Sequence, residues 1–193
     1  MGRTVDIPEI RISMPEWTAD VLGRESVYAT DADRVALAID LARGNIDLAT
    51  GGPFGAAVFE AETGRLVSVG VNRVVPLRNA LLHAEVVALM RAHERVGSYT
   101  LRGDGLPRHE LVTSCEPCAM CLGAALWSGV GRLVAGATRE DAERLGFDEG
   151  PVFEESYAYL ERRGIEVVRG LRREEARRVL ELYVEKGGLI YNG

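Results

Sequence analysis

Two periods organise the apolar positions of this chain. In "DADRVALAIDLARGNID", residues 31–47, Val35, Ala38, Ile39 and Ala42 recur at helical spacing, which predicts a helix capped by Asp31 or Asp33. "GGPFGAAVFEAETGRLVSVGVNRV" follows with two β-rich runs and a turn at Thr63-Gly64, the pattern of a hairpin. "HAEVVALMRAHERVG" returns to the helical period through Val86, Leu89, Met90 and His93 and stops at Gly97. "HELVTS" predicts a short strand, "CAMCLGAALWSG" a short apolar helix and "RLVAGAT" another strand. A helix around residues 151–163 precedes a fifth strand in "GIEVVRG". "EEARRVLELYVEKGG" closes the series as a helix with Ala176, Val179, Leu180 and Tyr183 on its apolar face.

The order α-β-β-α-β-α-β-α-β-α predicts an α/β fold, one mixed five-stranded sheet with helices on both faces. Residues 1–27, interrupted by Pro8 and Pro15, read as a loose lead-in; 28–168 read as the core, and 169–193 as a last helix and tail. At 193 residues and 47% hydrophobic, the chain can bury one sizeable core. A net charge of −6 argues against a protein that lives by gripping phosphate backbones, so a nucleic-acid partner is not expected. "MGRTVDIPEIRISMPEW" has no apolar core like that of a signal peptide, and no run approaches membrane-spanning length. The expectation is a cytoplasmic protein without a membrane partner. In a reducing compartment, an odd number of cysteines does not predict a disulfide framework.

All three cysteines fall in "TSCEPCAMC", evenly spaced as Cys115, Cys118 and Cys121. Pro117 suits the start of a helix, where free backbone N–H groups and the positive end of the dipole favour thiolates. That favours Cys118 and Cys121 as a ligand pair, with Cys115 a buried neighbour at the end of the preceding strand; the Cys115–Cys118 pair has the same spacing. Two thiolates leave tetrahedral zinc two positions short, and a catalytic site needs only one further protein ligand. His83 is the candidate because Glu85 follows it in "HAE", and at a helix's first turn both side chains can project towards one centre. His93 and His109 read as surface or core residues. Zinc lowers the pKa of water from about 15.7 towards 7, and a neighbouring carboxylate can then carry the proton to a departing amine. Taken singly, a CxxC can be redox-active, a histidine can cap a helix and a glutamate can sit in solvent. Jointly, H-x-E followed by P-C-x-x-C is far more specific.

Across about residues 30–165 the sequence resembles the cytidine deaminase-like superfamily and, within it, the short bacterial guanine deaminases. "GGPFGAAV", "NRV", "HAE", "TSCEPCAMCLGAALWSGV" and "GFDEGP" carry the resemblance. It implies a three-layer α/β/α fold and one zinc per chain held by His83, Cys118 and Cys121, with Glu85 as principal proton carrier and Glu149 as the second. It further implies that Asn72 hydrogen-bonds the base, that Phe54 and Trp127 line its pocket, and that Ala84 gives backbone contacts. In these deaminases the C-terminal segment closes the site, commonly in a homodimer with exchanged tails. Tyr191 in "LIYNG" would then reach its own or a partner's pocket. "PLRNALLHAE" departs from the family's Asp-Pro-containing approach to HAE, which bears on the substrate more than on the reaction.

The sequence therefore reads as a zinc-dependent hydrolase converting guanine to xanthine and ammonia. Deamination of another aminated heterocycle, such as an ammeline-type triazine, cytosine or a nucleoside, is the nearest alternative. A tRNA adenosine deaminase fits an acidic chain less well, and a non-catalytic module stabilised by zinc is the alternative outside enzymes.

Overall fold

The computed structural model describes residues 10–23 and 27–191; the rest of the 1–27 lead-in and the end of the tail lie outside the described residues. Strands β1 (Gly55–Glu60) and β2 (Leu66–Val71) form the expected hairpin. β1 also pairs antiparallel with β3 (His109–Cys115), which runs parallel to β4 (Arg132–Ala137), and β4 runs parallel to β5 (Glu166–Val168). The mixed sheet has the order β2-β1-β3-β4-β5. Alternation sends Ala57 and Phe59 to one face and Ala56 and Val58 to the other, and both faces are covered. α2 (Asp31–Asp47) and α8 (Arg173–Glu185) pack on the first; α4 (Ala84–Val96), α5 (Ala119–Ser128) and α7 (Glu154–Arg162) pack on the second. The three-layer α/β/α architecture is the one the sequence implied.

Several local expectations change. Three short helices were not foreseen: α1 (Trp17–Leu22), α3 (Val74–Leu77) and α6 (Arg139–Glu143). α1 corrects the reading of residues 1–27 as loose, because the Trp17 ring lies flush on α2, where a Cβ at Gly44 would come within 3.1 Å of it. The cap of α2 is Thr30, which exchanges hydrogen bonds with Asp33 in a capping box, while Asp31 turns away to Arg132. On α4 the face buried most deeply is Ala84, Val87, Ala88 and Ala92, whereas Met90 is 46% exposed. The reason is a close approach of backbones: a Cβ on Gly70 of β2 would lie 2.1 Å from the Ala84 carbonyl oxygen and 2.5 Å from the Ala88 nitrogen. Only small side chains fit between helix and sheet there. His93 instead meets the Ser128 carbonyl at the end of α5, and His109 is a core residue whose Nδ1 meets the Leu101 carbonyl. α8 buries the face the sequence marked, so only the segment after it reaches the region of the site.

Two ionic clusters tie these layers. The fully buried Glu110 of β3 accepts from Arg34 of α2 at 2.5 Å and from Arg132 of β4 at 2.9 Å, and Arg132 continues to Asp31 and Glu166. Asp141 in α6 receives Thr138 N and a two-pronged contact from Arg173 of α8 at 2.7 and 2.8 Å. The Arg173 guanidinium is the main cause that holds its carboxyl down to about 2, against the opposing effect of burial. An unfolded aspartate titrates at about 3.9, so this contact stabilises the fold above that pH, and its contribution is lost as pH falls towards 2. Asp141→Asn is expected to lower stability at pH 7 and to flatten the loss between pH 4 and 2, as measured by urea denaturation across that range.

Candidate metal centre and active site

Helices α4 and α5 begin at one place. His83 is the N-cap of α4 and Cys118 the N-cap of α5, both with extended backbones that turn into the helix. Cys121 lies one turn into α5, on the same face as Cys118. His83 Nδ1 stands 3.5 Å from Cys118 Sγ and 3.6 Å from Cys121 Sγ, and the three donor atoms lie within 4.8 Å of one another. A tetrahedral zinc with Zn–S of about 2.3 Å and Zn–N of about 2.05 Å requires an S···N edge of about 3.6 Å. The donor set and its spacing therefore fit zinc. A hydrogen bond from Cys121 is the main cause pushing Cys118 down to about 4, while the same contact and burial push Cys121 up. Burial opposes charge on His83, but Cys118 and Glu85 raise its pKa on balance. Cys115, at the end of β3, stands outside the cluster and points its thiol at the Thr138 carbonyl.

Beside the donors lies an inner cavity of about 30 Å³, room for one or two waters, lined by Phe54, His83, Glu85, Glu116, Cys118, Glu149 and others. It adjoins an outer cavity of about 400 Å³ whose walls include Val74, Leu81, Met120, Glu149 and Tyr191. Glu85 and Glu149 are both 7% exposed. Burial first, and the Cys118 charge second, push Glu85 up to about 7 and Glu149 up to about 8. Glu149 is brought here by its backbone, whose carbonyl accepts from Ala119 N at the start of α5.

Phe54 stands edge-on to Phe147, which in turn meets the Tyr191 ring, so the tail reaches the site of its own chain. Asn72 is buried behind the cavity wall; its Oδ1 accepts from Val74 N. Its Nδ2 lies beside the Tyr191 hydroxyl, but the two form no hydrogen bond of good geometry, and both atoms are unsatisfied among the described residues. Ala84 is buried in the first turn of α4 and lines neither cavity.

Residues 29–137 match the family described as the cytidine and deoxycytidylate deaminase zinc-binding region. The chain belongs to this family. It is a zinc-dependent deaminase, a hydrolase of carbon–nitrogen bonds. The guanine deaminase of Bacillus subtilis (strain 168) is 36% identical over 118 residues, 61% of this chain and 71% of that one. The solved guanine deaminase from Nitrosomonas europaea is 44% identical with a TM-score of 0.87, covering 91% of this chain and 96% of that one. A further solved structure, a mutant in complex with 8-azaguanine, has 44% identity and a TM-score of 0.89 over 92% and 97% of the two chains.

Trp127, assigned by the resemblance to the base pocket, lies outside both cavities of its own chain. Trp127 is 77% exposed at the far end of α5, in a separate surface cleft with Tyr99 and Arg163. The donors sit at the first turn of that helix, and six residues at about 1.5 Å each carry Trp127 roughly 9 Å further along it. Conversely, sequence reasoning overlooked Glu116 and Phe147, although both lie inside the quoted motifs. A charged residue in the otherwise apolar "SCEPC" was the available signal for Glu116. It is buried, accepting from Arg169, Tyr157 and Arg139 N.

Proposed function

We propose that this deaminase hydrolyses guanine to xanthine and ammonia. The observation that carries the reading is the pair of buried carboxylates, Glu85 and Glu149, on one water-sized cavity beside the donors. Guanine's C2 lies between two ring nitrogens. Addition of water there needs a proton on N3, and departure of ammonia needs another on the amine; two carboxylates serve these transfers better than one. The resemblance to guanine deaminases and to a structure holding 8-azaguanine supports the same substrate.

Zinc held by His83, Cys118 and Cys121 would supply Lewis acidity, lowering the pKa of water towards about 7. Glu85 takes a proton from the attacking water and delivers it to the ring or the amine, and Glu149 carries the second. Phe54 bounds the base, Ala84 offers its backbone, the Asn72 amide donates to a ring acceptor, and Tyr191 excludes water from the outer side. We place the enzyme in the cytoplasm; no helix among the described residues is long and apolar enough to cross a membrane. A homodimer is supported by α5, whose Met120, Gly123 and Trp127 leave an apolar stripe outside the core.

Ammonia release by the zinc-loaded protein is to be measured against guanine, guanosine, cytosine, adenine, adenosine and ammeline. Guanine is expected to be turned over far faster than the others, and preference for another ring would overturn the substrate. Glu149→Gln is expected to slow guanine turnover about 100-fold with zinc retained; an unchanged rate would remove Glu149 from the reaction.

A further inference from the structure

Asn45 is completely buried near the end of α2, and both its amide hydrogens and its amide oxygen are hydrogen-bonded. Its Nδ2 donates to the Gly52 carbonyl at 2.8 Å and the Asn72 carbonyl at 2.9 Å, and its Oδ1 accepts from the Thr50 hydroxyl at 2.7 Å. Its own carbonyl accepts from Thr50 N and Gly51 N. The loop before β1 and the end of β2 are thus fastened to one side chain. A Cβ on Gly51 would lie 2.0 Å from the Asn72 oxygen and 2.6 Å from Asn45 Nδ2.

This chain of hydrogen bonds reaches back to α1. Trp17 Nε1 donates to Thr50 Oγ1 at 3.2 Å, and an indole N–H can only donate. The Thr50 hydroxyl donates to Asn45 Oδ1 at 2.7 Å, closer than the Asn45 main-chain oxygen at 3.4 Å, and the amide nitrogen faces the two carbonyls. Rotating the amide by half a turn would set an oxygen against two oxygens. The segment so held contains Gly52, on which the Tyr191 hydroxyl rests, and ends at Phe54, whose carbonyl accepts from Asn72 N.

We infer that Asn45, clamped between Thr50 and the carbonyls of Gly52 and Asn72, is a positioning residue that sets where the Asn72 amide is presented to the substrate. The inference rests on the reading that Asn72 binds the base. It also gives α1, which lies before the family match at residues 29–137, a part in substrate binding through Trp17.

The test is a double-mutant cycle on guanine, with kcat, KM, zinc content and melting temperature recorded for Asn45→Leu, Thr50→Val, Asn72→Ala and the pairs. Asn45→Leu is expected to lose about 100-fold in kcat/KM, mostly through KM and with zinc retained, since a misplacement of about 1 Å costs that much. Thr50→Val, which removes one of the three hydrogen bonds that hold the amide, is expected to lose about tenfold in the same direction. In the Asn72→Ala background, Asn45→Leu should cost no more than about threefold further, because the two act as one unit. Fully multiplicative losses, or a lower melting temperature with unchanged kcat/KM, would overturn the inference and leave the reading of Asn72 standing. No loss in Asn72→Ala alone would overturn that reading itself. If Asn45→Leu does not fold, the Thr50→Val cycle with Asn72→Ala decides by the same criterion.

Discussion

Glu85→Gln is expected to lower kcat by about 1,000-fold while the protein keeps its zinc. The substitution is nearly isosteric, so a side chain only 7% exposed can be replaced without opening a cavity. Glutamine neither accepts nor releases a proton at neutral pH, and that is the one property the position supplies. The donors stay in place: His83 Nδ1 faces the two sulfurs, Glu85 is not among the three clustered residues, and glutamine keeps a polar group beside Cys121. Steady-state turnover with metal analysis of the same preparation checks the claim. Wild-type activity would sink the proton-carrying role. Loss of zinc together with activity would mean that the carboxylate holds the site together rather than working in it.

Glu110→Ala is expected to cost about 3–5 kcal/mol of stability, because it leaves Arg34 and Arg132 buried without the carboxylate that faces them both. For a chain of this length that corresponds to a fall in melting temperature of roughly 10 °C. Catalysis measured well below the transition should hardly change. Glu110 lies five residues before Cys115 on β3, roughly 17 Å from the donor end of the strand. Thermal unfolding and a 20 °C rate on the same sample separate the two effects. A shift of less than about 2 °C would show that water replaces the lost carboxylate and that the cluster is worth little.

What could be read from the sequence was what repeats or what is rare. Ala176, Val179, Leu180 and Tyr183 mark the buried face of α8 because large apolar side chains recur at the helical period. His83, Cys118 and Cys121 were legible because few side chains bind zinc and because their spacing suits two helix starts. On α4 Leu89 is buried as expected, but alanine carries little hydrophobic weight, so the larger Met90 and His93 drew the rest of the stripe to the wrong side. Trp127 could not be placed from the sequence because an aromatic residue within a motif says nothing about which end of its helix faces the site. α1 was hidden behind Pro15, and its anchor, Trp17 against Gly44, is a contact made only after folding. Asn45 was invisible for a different reason. One amide on a helix reads as solvent-facing, and its partners lie seven and 27 residues further along the chain.

The contact of Gly70 with the first turn of α4 has a bearing on how far this scaffold tolerates change. At its first turn, the height of the helix that carries His83 is set by main chain resting on main chain. Drift on the outer surface of α4, at Met90 and its neighbours, is therefore insulated from the histidine's position. The vulnerability is concentrated in one hydrogen atom: any side chain at position 70 lifts the helix, and with it one corner of the donor triangle. A library that diversifies α4 while freezing that glycine should yield many folded variants that still bind the metal.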